Sequence, residues 1–163
     1  MLRLSKKADY ALMAMKHLAL GGDRGLAGPG SSAGLGGSSS AREIAELYDI
    51  PIELMAKVLQ RLVRRGLLAS QQGTRGGYQL ARTPTQISVA DVIQAIDGPV
   101  TVTACTGDEG QQCEQFAKCN VRDPLWRVRE RILSALGECT IAELAADVPP
   151  PPAPRPAVLH THL

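Results

Sequence analysis

The chain has 163 residues, 44% of them hydrophobic but only 3% aromatic, and a formal net charge of +2. That length allows one compact domain plus an extra helix or tail, with a core of Leu, Ile, Val and Ala that suits helices. No apolar run approaches the roughly 20 residues of a membrane span. The N-terminal MLRLSKKADYALMAMKHLAL carries charges inside its apolar stretch and lacks a small-residue cleavage site, so export is not expected. A reducing cytoplasm follows, where the four cysteines are expected as ligands or reactive thiols rather than disulfides.

Residues 4–19 place Leu4, Tyr10, Ala11, Leu12, Met15, Leu18 and Ala19 at roughly helical spacing. Residues 21–39 are a Gly/Ser-rich flexible insert with no means of packing. Ser40-Ala41-Arg42-Glu43 then forms a capping box that opens a short helix. Asp49-Ile50-Pro51 turns the chain into PIELMAKVLQRLVRRG, a helix with Ile52, Met55, Val58, Leu59 and Leu62 on one face, stopped by Gly66. Two strand-like pieces, LLASQQ and GYQLAR, flank the turn Gly73–Gly77. Helix, turn, helix and hairpin is the order of a winged helix-turn-helix, whose second helix enters the major groove.

Ile87–Ile96 reads as another amphipathic helix, ended by Asp97-Gly98-Pro99. Behind it lies TACTGDEGQQCEQFAKC, which gathers Cys105, Cys113 and Cys119 in the spacing C-x7-C-x5-C. Thiolates held close together bind soft metal centres, and this spacing is too wide for the C-x2-C knuckle of structural zinc. Asp123-Pro124 begins the last long helix, with Asp as N-cap. Its stripe of Leu125, Val128, Ile132 and Leu136, with Trp126 and Leu133 beside it, needs a partner, and a second copy is the economical one. Thr140–Glu143 caps a short closing helix, and a Pro-rich tail from Val148 is expected to be disordered.

Charge is distributed unevenly. Residues 53–82 hold six Arg/Lys against Glu53, whereas residues 91–147 hold ten acids against five bases. This suggests a polyanion-binding face followed by a regulatory or dimerising part. On the second helix, Glu53 and Lys57 stand one turn apart near the end that faces base edges, suited to cytosine N4 and guanine O6/N7. Ala56 suits a thymine methyl, and Gln60 lies on the same polar face. Arg61, Arg64, Arg65, Lys6 and Lys7 suit phosphates, and Arg75 at the wing tip suits the minor groove. Tyr78 is expected to pack within the wing.

LSKKADYALMAMKHLA, AREIAELYDIPIELMAKVLQRLVRRGLL, GTRGGYQLAR, ISVADVIQAIDGPV, the cysteine segment and the Trp126 helix ending in TIAEL together resemble the Rrf-type iron–sulfur regulators. These include IscR-type, NsrR-type and RirA-type repressors and the SUF-system regulator, whose branch is the nearest in pattern through MLRLSKKADYALM and GPVTVTAC. The resemblance covers nearly all of residues 1–147 apart from the insert. It implies a mainly α fold with a small β-hairpin wing, a winged helix-turn-helix plus a long C-terminal dimerisation helix. The DNA-binding domain would span 1–98, the cluster loop 99–121, the dimerisation and closing helices 122–147, and the tail 148–163.

The resemblance further implies a homodimer on a pseudo-palindromic operator in double-stranded DNA, with Cys105, Cys113 and Cys119 ligating a [2Fe–2S] or [4Fe–4S] cluster. The implied role is a repressor of iron–sulfur assembly genes, not an enzyme. A nitric-oxide- or iron-responsive regulator of the same family is the alternative, and a zinc-stapled or thiol-switch module is a further one. Asp9 from the partner chain is a candidate fourth ligand, because nitric-oxide-sensing members use an N-terminal acid in this way. Cys139 reads better as a structural thiol and His17 as a helix-face residue. The chain departs from the pattern in its insert, in Gln72 where members often carry Arg, and in Cys119-Asn120-Val121-Arg122, which lacks the His of IscR-type members.

Overall fold

Hydroxyls set the helix starts. The computed structural model describes residues 4–21, 37–72, 76–101 and 114–146. Within them α1 (Lys6–Ala19), α2 (Ala41–Leu47), α4 (Val89–Asp97) and α6 (Ile141–Ala145) open on Ser5, Ser40, Ser88 and Thr140, each accepting from a backbone N–H three residues on. Ser40, Ser88 and Thr140 complete reciprocal capping boxes with Glu43, Asp91 and Glu143. α3 (Ile52–Arg64) follows Pro51, which offers no side-chain cap. α5 (Arg122–Glu138) starts ahead of the Asp123-Pro124 expected to open it: Val121 is its N-cap, and Asp123 instead pairs with Arg122 at 3.0 Å.

The wing is an antiparallel pair, β1 (Leu68–Gln71) and β2 (Gly77–Leu80), in the register Leu68↔Leu80 to Gln71↔Gly77. Its tip, including Arg75, lies outside the described residues, as do residues 22–36, Cys105, Cys113 and the Pro-rich tail. Gly66, at φ +70°, ends α3 in the left-handed region and turns the chain into β1.

Residues 21–39, expected as an unpacked insert, are packed at their end. Gly37 N–H donates to Leu18 O, and Ser39 exchanges two backbone bonds with Tyr78 of 3.1 and 2.8 Å. The cause is an edge: β2 has one side on β1, and its other side presents unpaired backbone groups that Ser39 satisfies. The approach is so close that a Cβ on Gly77 would stand 2.8 Å from Ser38 Oγ and 2.9 Å from Ser39 O.

The main core joins Met15 and Leu18 of α1 with Ile44, Met55, Leu59, Leu62, Leu80, Ile87 and Ile141, all fully buried. α1 presents small residues, Ala8, Ala11 and Ala14, to this core, so neighbouring helices approach it closely. Tyr10 and Leu12, expected on that stripe, are half-buried. Ile141 returns the chain to α4: its N–H donates to Ile87 O, while Val89 N–H donates to Cys139 O. A second cluster of Val89, Ile93 and Val100 receives Leu133, Leu136 and Cys139 from α5 and its end.

Candidate functional site

α2 and α3 are separated by a turn in which Asp49 takes φ +52° and Ile50 is buried, and this fixes α3 across α2. Asp tolerates the left-handed region better than most residues. Met55, Val58, Leu59 and Leu62 anchor the inner face of α3. Ile52, expected on that face, is 44% exposed, because the first residue of the helix projects beyond the core that begins at Met55.

The outer face carries the sequence-predicted contacts together. Glu53, Lys57, Gln60, Arg61, Arg64 and Arg65 are all exposed, and Ala56 is half-buried. Lys6 and Lys7 are exposed at the start of α1. Arg61, Arg64 and Arg65 line one groove, and Arg65 shares another with Arg82, Asp91 and Gln94. Arg61 is the exception in kind: its Nε donates to Ala95 O at 3.0 Å, so its guanidinium is held against α4. Arg82 was not singled out from sequence, although it stands within the same basic run. Tyr78 is half-buried and packs on the main core, as expected of a wing residue.

Below this face the first helix is tied in at both ends. Ser5 N–H and Oγ both donate to the Asp97 carboxylate at the end of α4. Asp9 is exposed and lines a groove with Leu4, Ser5, Lys6 and Asp97. The cysteine segment departs from that end of α4. His17, expected on an open helix face, is buried instead: Nε2 lies 3.1 Å from Ser39 Oγ and Nδ1 lies 3.4 Å from the Tyr48 hydroxyl. The alternation of apolar residues in α1 gave no sign of this, since the partners come from residues 22 and 31 positions away.

Of the three predicted cysteine ligands, Cys119 lies among the described residues. It is a free, half-buried thiol at the end of a 3₁₀ turn, Phe116–Lys118, just ahead of α5. Three thiolates are a soft donor set that suits an iron–sulfur centre. Among the described residues no group of three His, Cys, Asp or Glu stands ready to hold a metal. Cys139 is a different thiol. Burial, then the charge of Glu143 and a hydrogen bond to it, raise its pKa above the ordinary 9.0. Its backbone closes α5 and meets α4, and its side chain packs on the second cluster. A thiol that holds its proton is less ready to ligate a metal, which fits the structural reading of Cys139.

α5 contributes no fully buried residue, and Trp126 and Val128 are 49% and 43% exposed. Arg129 lies 5.2 Å over the Trp126 ring. No described helix is long and apolar enough to cross a membrane.

Residues 4–147 match a family model described as Rrf2, iron-dependent transcriptional regulator. The chain is 36% identical over 144 residues to the HTH-type transcriptional regulator IscR of Xenorhabdus nematophila, covering 88% of this chain and 79% of the relative. It is 35% identical, over the same shares, to IscR of Serratia proteamaculans. Among solved structures, CymR, the global cysteine regulator of B. subtilis, superposes with a TM-score of 0.65 at 27% identity, covering 91% of this chain and 99% of CymR. IscR of T. potens superposes with a TM-score of 0.61 at 26% identity, covering 88% and 85%.

Proposed function

Because the chain belongs to the Rrf2 family of DNA-binding transcriptional regulators, we propose that it is a homodimeric repressor of iron–sulfur assembly genes that responds to its own cluster. The observation that carries this reading is the place of Cys105, Cys113 and Cys119 inside the matched region, between α4 and α5. These three thiolates would hold the cluster, with Asp9 of the second protomer as the candidate fourth ligand. When bound, such a cluster supplies a centre sensitive to oxidation, iron supply and nitric oxide.

The residues around the segment supply the coupling. Asp97 holds the start of α1 through Ser5, and α1 holds Ser39, which bridges to Tyr78 of β2, through His17. A rearranged cysteine segment therefore bears on α1 and the wing, and shifts the balance between dimers that fit DNA and dimers that do not. Glu53, Ala56, Lys57 and Gln60 face base edges in this reading. Arg64, Arg65, Lys6 and Lys7 neutralise phosphates, and Arg75 enters the minor groove. Charge on this face sets affinity and its salt dependence, whereas the base-facing residues set sequence.

The test is an absorbance spectrum of anaerobically purified protein, with iron and acid-labile sulfide quantified per chain. Visible charge-transfer bands with stoichiometric iron and sulfide are expected, and Cys113→Ala should abolish them while leaving the fold. A colourless protein after anaerobic reconstitution overturns the cluster. The likeness to CymR supports a second reading, a thiol-responsive regulator, and that result would favour it.

A further inference from the structure

Among the described residues, neither core cluster includes Ile52. It is the first residue of α3, 44% exposed, and it follows a cap that makes no side-chain bond. A β-branched residue there adds little to helix propensity and leaves apolar surface in water. One turn on stands half-buried Ala56, and beside this pair run exposed Glu53 and Lys57, also one turn apart. Residues four apart share a helix face. The front of the helix thus presents an apolar row next to a charged row, at the end that faces base edges in a helix-turn-helix.

The major groove offers one apolar feature that identifies a base, the 5-methyl group of thymine. We infer that Ile52 reads a thymine 5-methyl group and is a specificity-determining residue of this regulator. The inference rests on the DNA-binding role of α3. Its occupant follows from continuity and charge: the Ile52–Ala56 row adjoins the Glu53–Lys57 row, and exposed Lys57, Arg64 and Arg65 give the helix a cationic outer side that complements a polyanion. An apolar row beside a cationic side suits a methyl group within a phosphate-lined groove.

The experiment uses the full chain. A preferred duplex is selected from a randomised double-stranded library, and each thymine is then replaced singly by deoxyuridine, which removes only the methyl. Wild-type protein should lose about three- to tenfold in affinity at one position or its symmetry mate. Ile52→Val should keep part of that difference, and Ile52→Ala should bind thymine and uracil equally at that position, whereas a methyl contact by Ala56 at another position should be unchanged. Ala is the best helix former, so the melting temperature of Ile52→Ala should not fall. Indifference to uracil at every position overturns the inference, and so does an Ile52→Ala protein that keeps the wild-type thymine preference at every position. Selection of a duplex with either result leaves DNA reading by α3 standing. Failure to select any preferred duplex overturns both.

Discussion

The imidazole Nε2 of His17 lies 3.1 Å from the Ser39 hydroxyl, and both side chains are buried. The contact is more than local because Ser39 also pairs with Tyr78 of the wing, while Nδ1 of the same ring meets the hydroxyl of Tyr48, which caps the end of α2, and the two rings stand edge to face. One side chain of α1 thereby touches α2 and the residue that extends the wing sheet. Ser39→Ala removes one buried hydrogen bond and should lower stability by about 1 kcal/mol in chemical denaturation. Gly77→Ala should cost more, about 1–3 kcal/mol, because its Cβ would strike the Ser39 backbone and the Ser38 hydroxyl. A neutral Gly77→Ala variant would show that the Ser39 strand is not packed on β2.

The two described thiols should behave differently. Cys139→Ala should retain full iron and sulfide after reconstitution, whereas Cys119→Ala should lose them. The alkylation rate of Cys139 should rise with a midpoint above that of a free thiol, since burial and Glu143 favour its protonated form. The sign for stability follows. The folded chain holds this proton more tightly than the unfolded chain, so the contribution is complete below a pH of about 9 and is lost as pH rises through the raised value. Loss of iron in Cys139→Ala would return this residue to the ligand set.

Much of this was legible from local chemistry. The capping boxes at Ser40 and Thr140, the stop at Gly66 and the buried stripe from Met55 to Leu62 follow from residue type and spacing, and each lies where the pattern puts it. What the pattern missed depends on distant partners. The burial of His17 needs Ser39 and Tyr48, the packing of Ser39 needs the free edge of β2, and the capture of Arg61 needs the Ala95 carbonyl. Periodicity also overreached at a helix end: Ile52 has the right phase for the core, yet it lies beyond the core's edge.

Charge on α3 should divide by role. Lys57→Ala is expected to cost about 1–3 kcal/mol on the preferred duplex and to relax specificity at one base. Arg65→Ala should weaken binding to all duplexes alike and reduce the slope of log affinity against log salt by about 1. Arg61→Ala should instead lower thermal stability, because its Nε bond to Ala95 O joins α3 to α4. An unchanged melting temperature with a reduced salt slope would reassign Arg61 to the phosphates. DNA titrations of each variant over a range of salt concentrations, with a thermal melt of Arg61→Ala, decide all three.

α5 is the least self-sufficient element. Its 17 residues include none that is fully buried, although Leu133 and Leu136 reach the second cluster. An isolated helix draws little stability from propensity alone, so its persistence calls for tertiary or intersubunit packing. Half-exposed Trp126 and Val128 lie on the part of α5 ahead of Leu133, and covering what remains exposed contributes about half of the roughly 1.5–3 kcal/mol of full burial for each. A second copy of α5 laid against the first would supply that burial. Val128→Asp places an unpaired charge there and should shift the protein from dimer to monomer in sedimentation equilibrium. The Trp126 emission should move to longer wavelength in the same variant as its ring becomes hydrated. The α1–α4 core does not contain Val128, so the helical signal of that core should survive. A Val128→Asp protein that remains dimeric would place the subunit contact elsewhere.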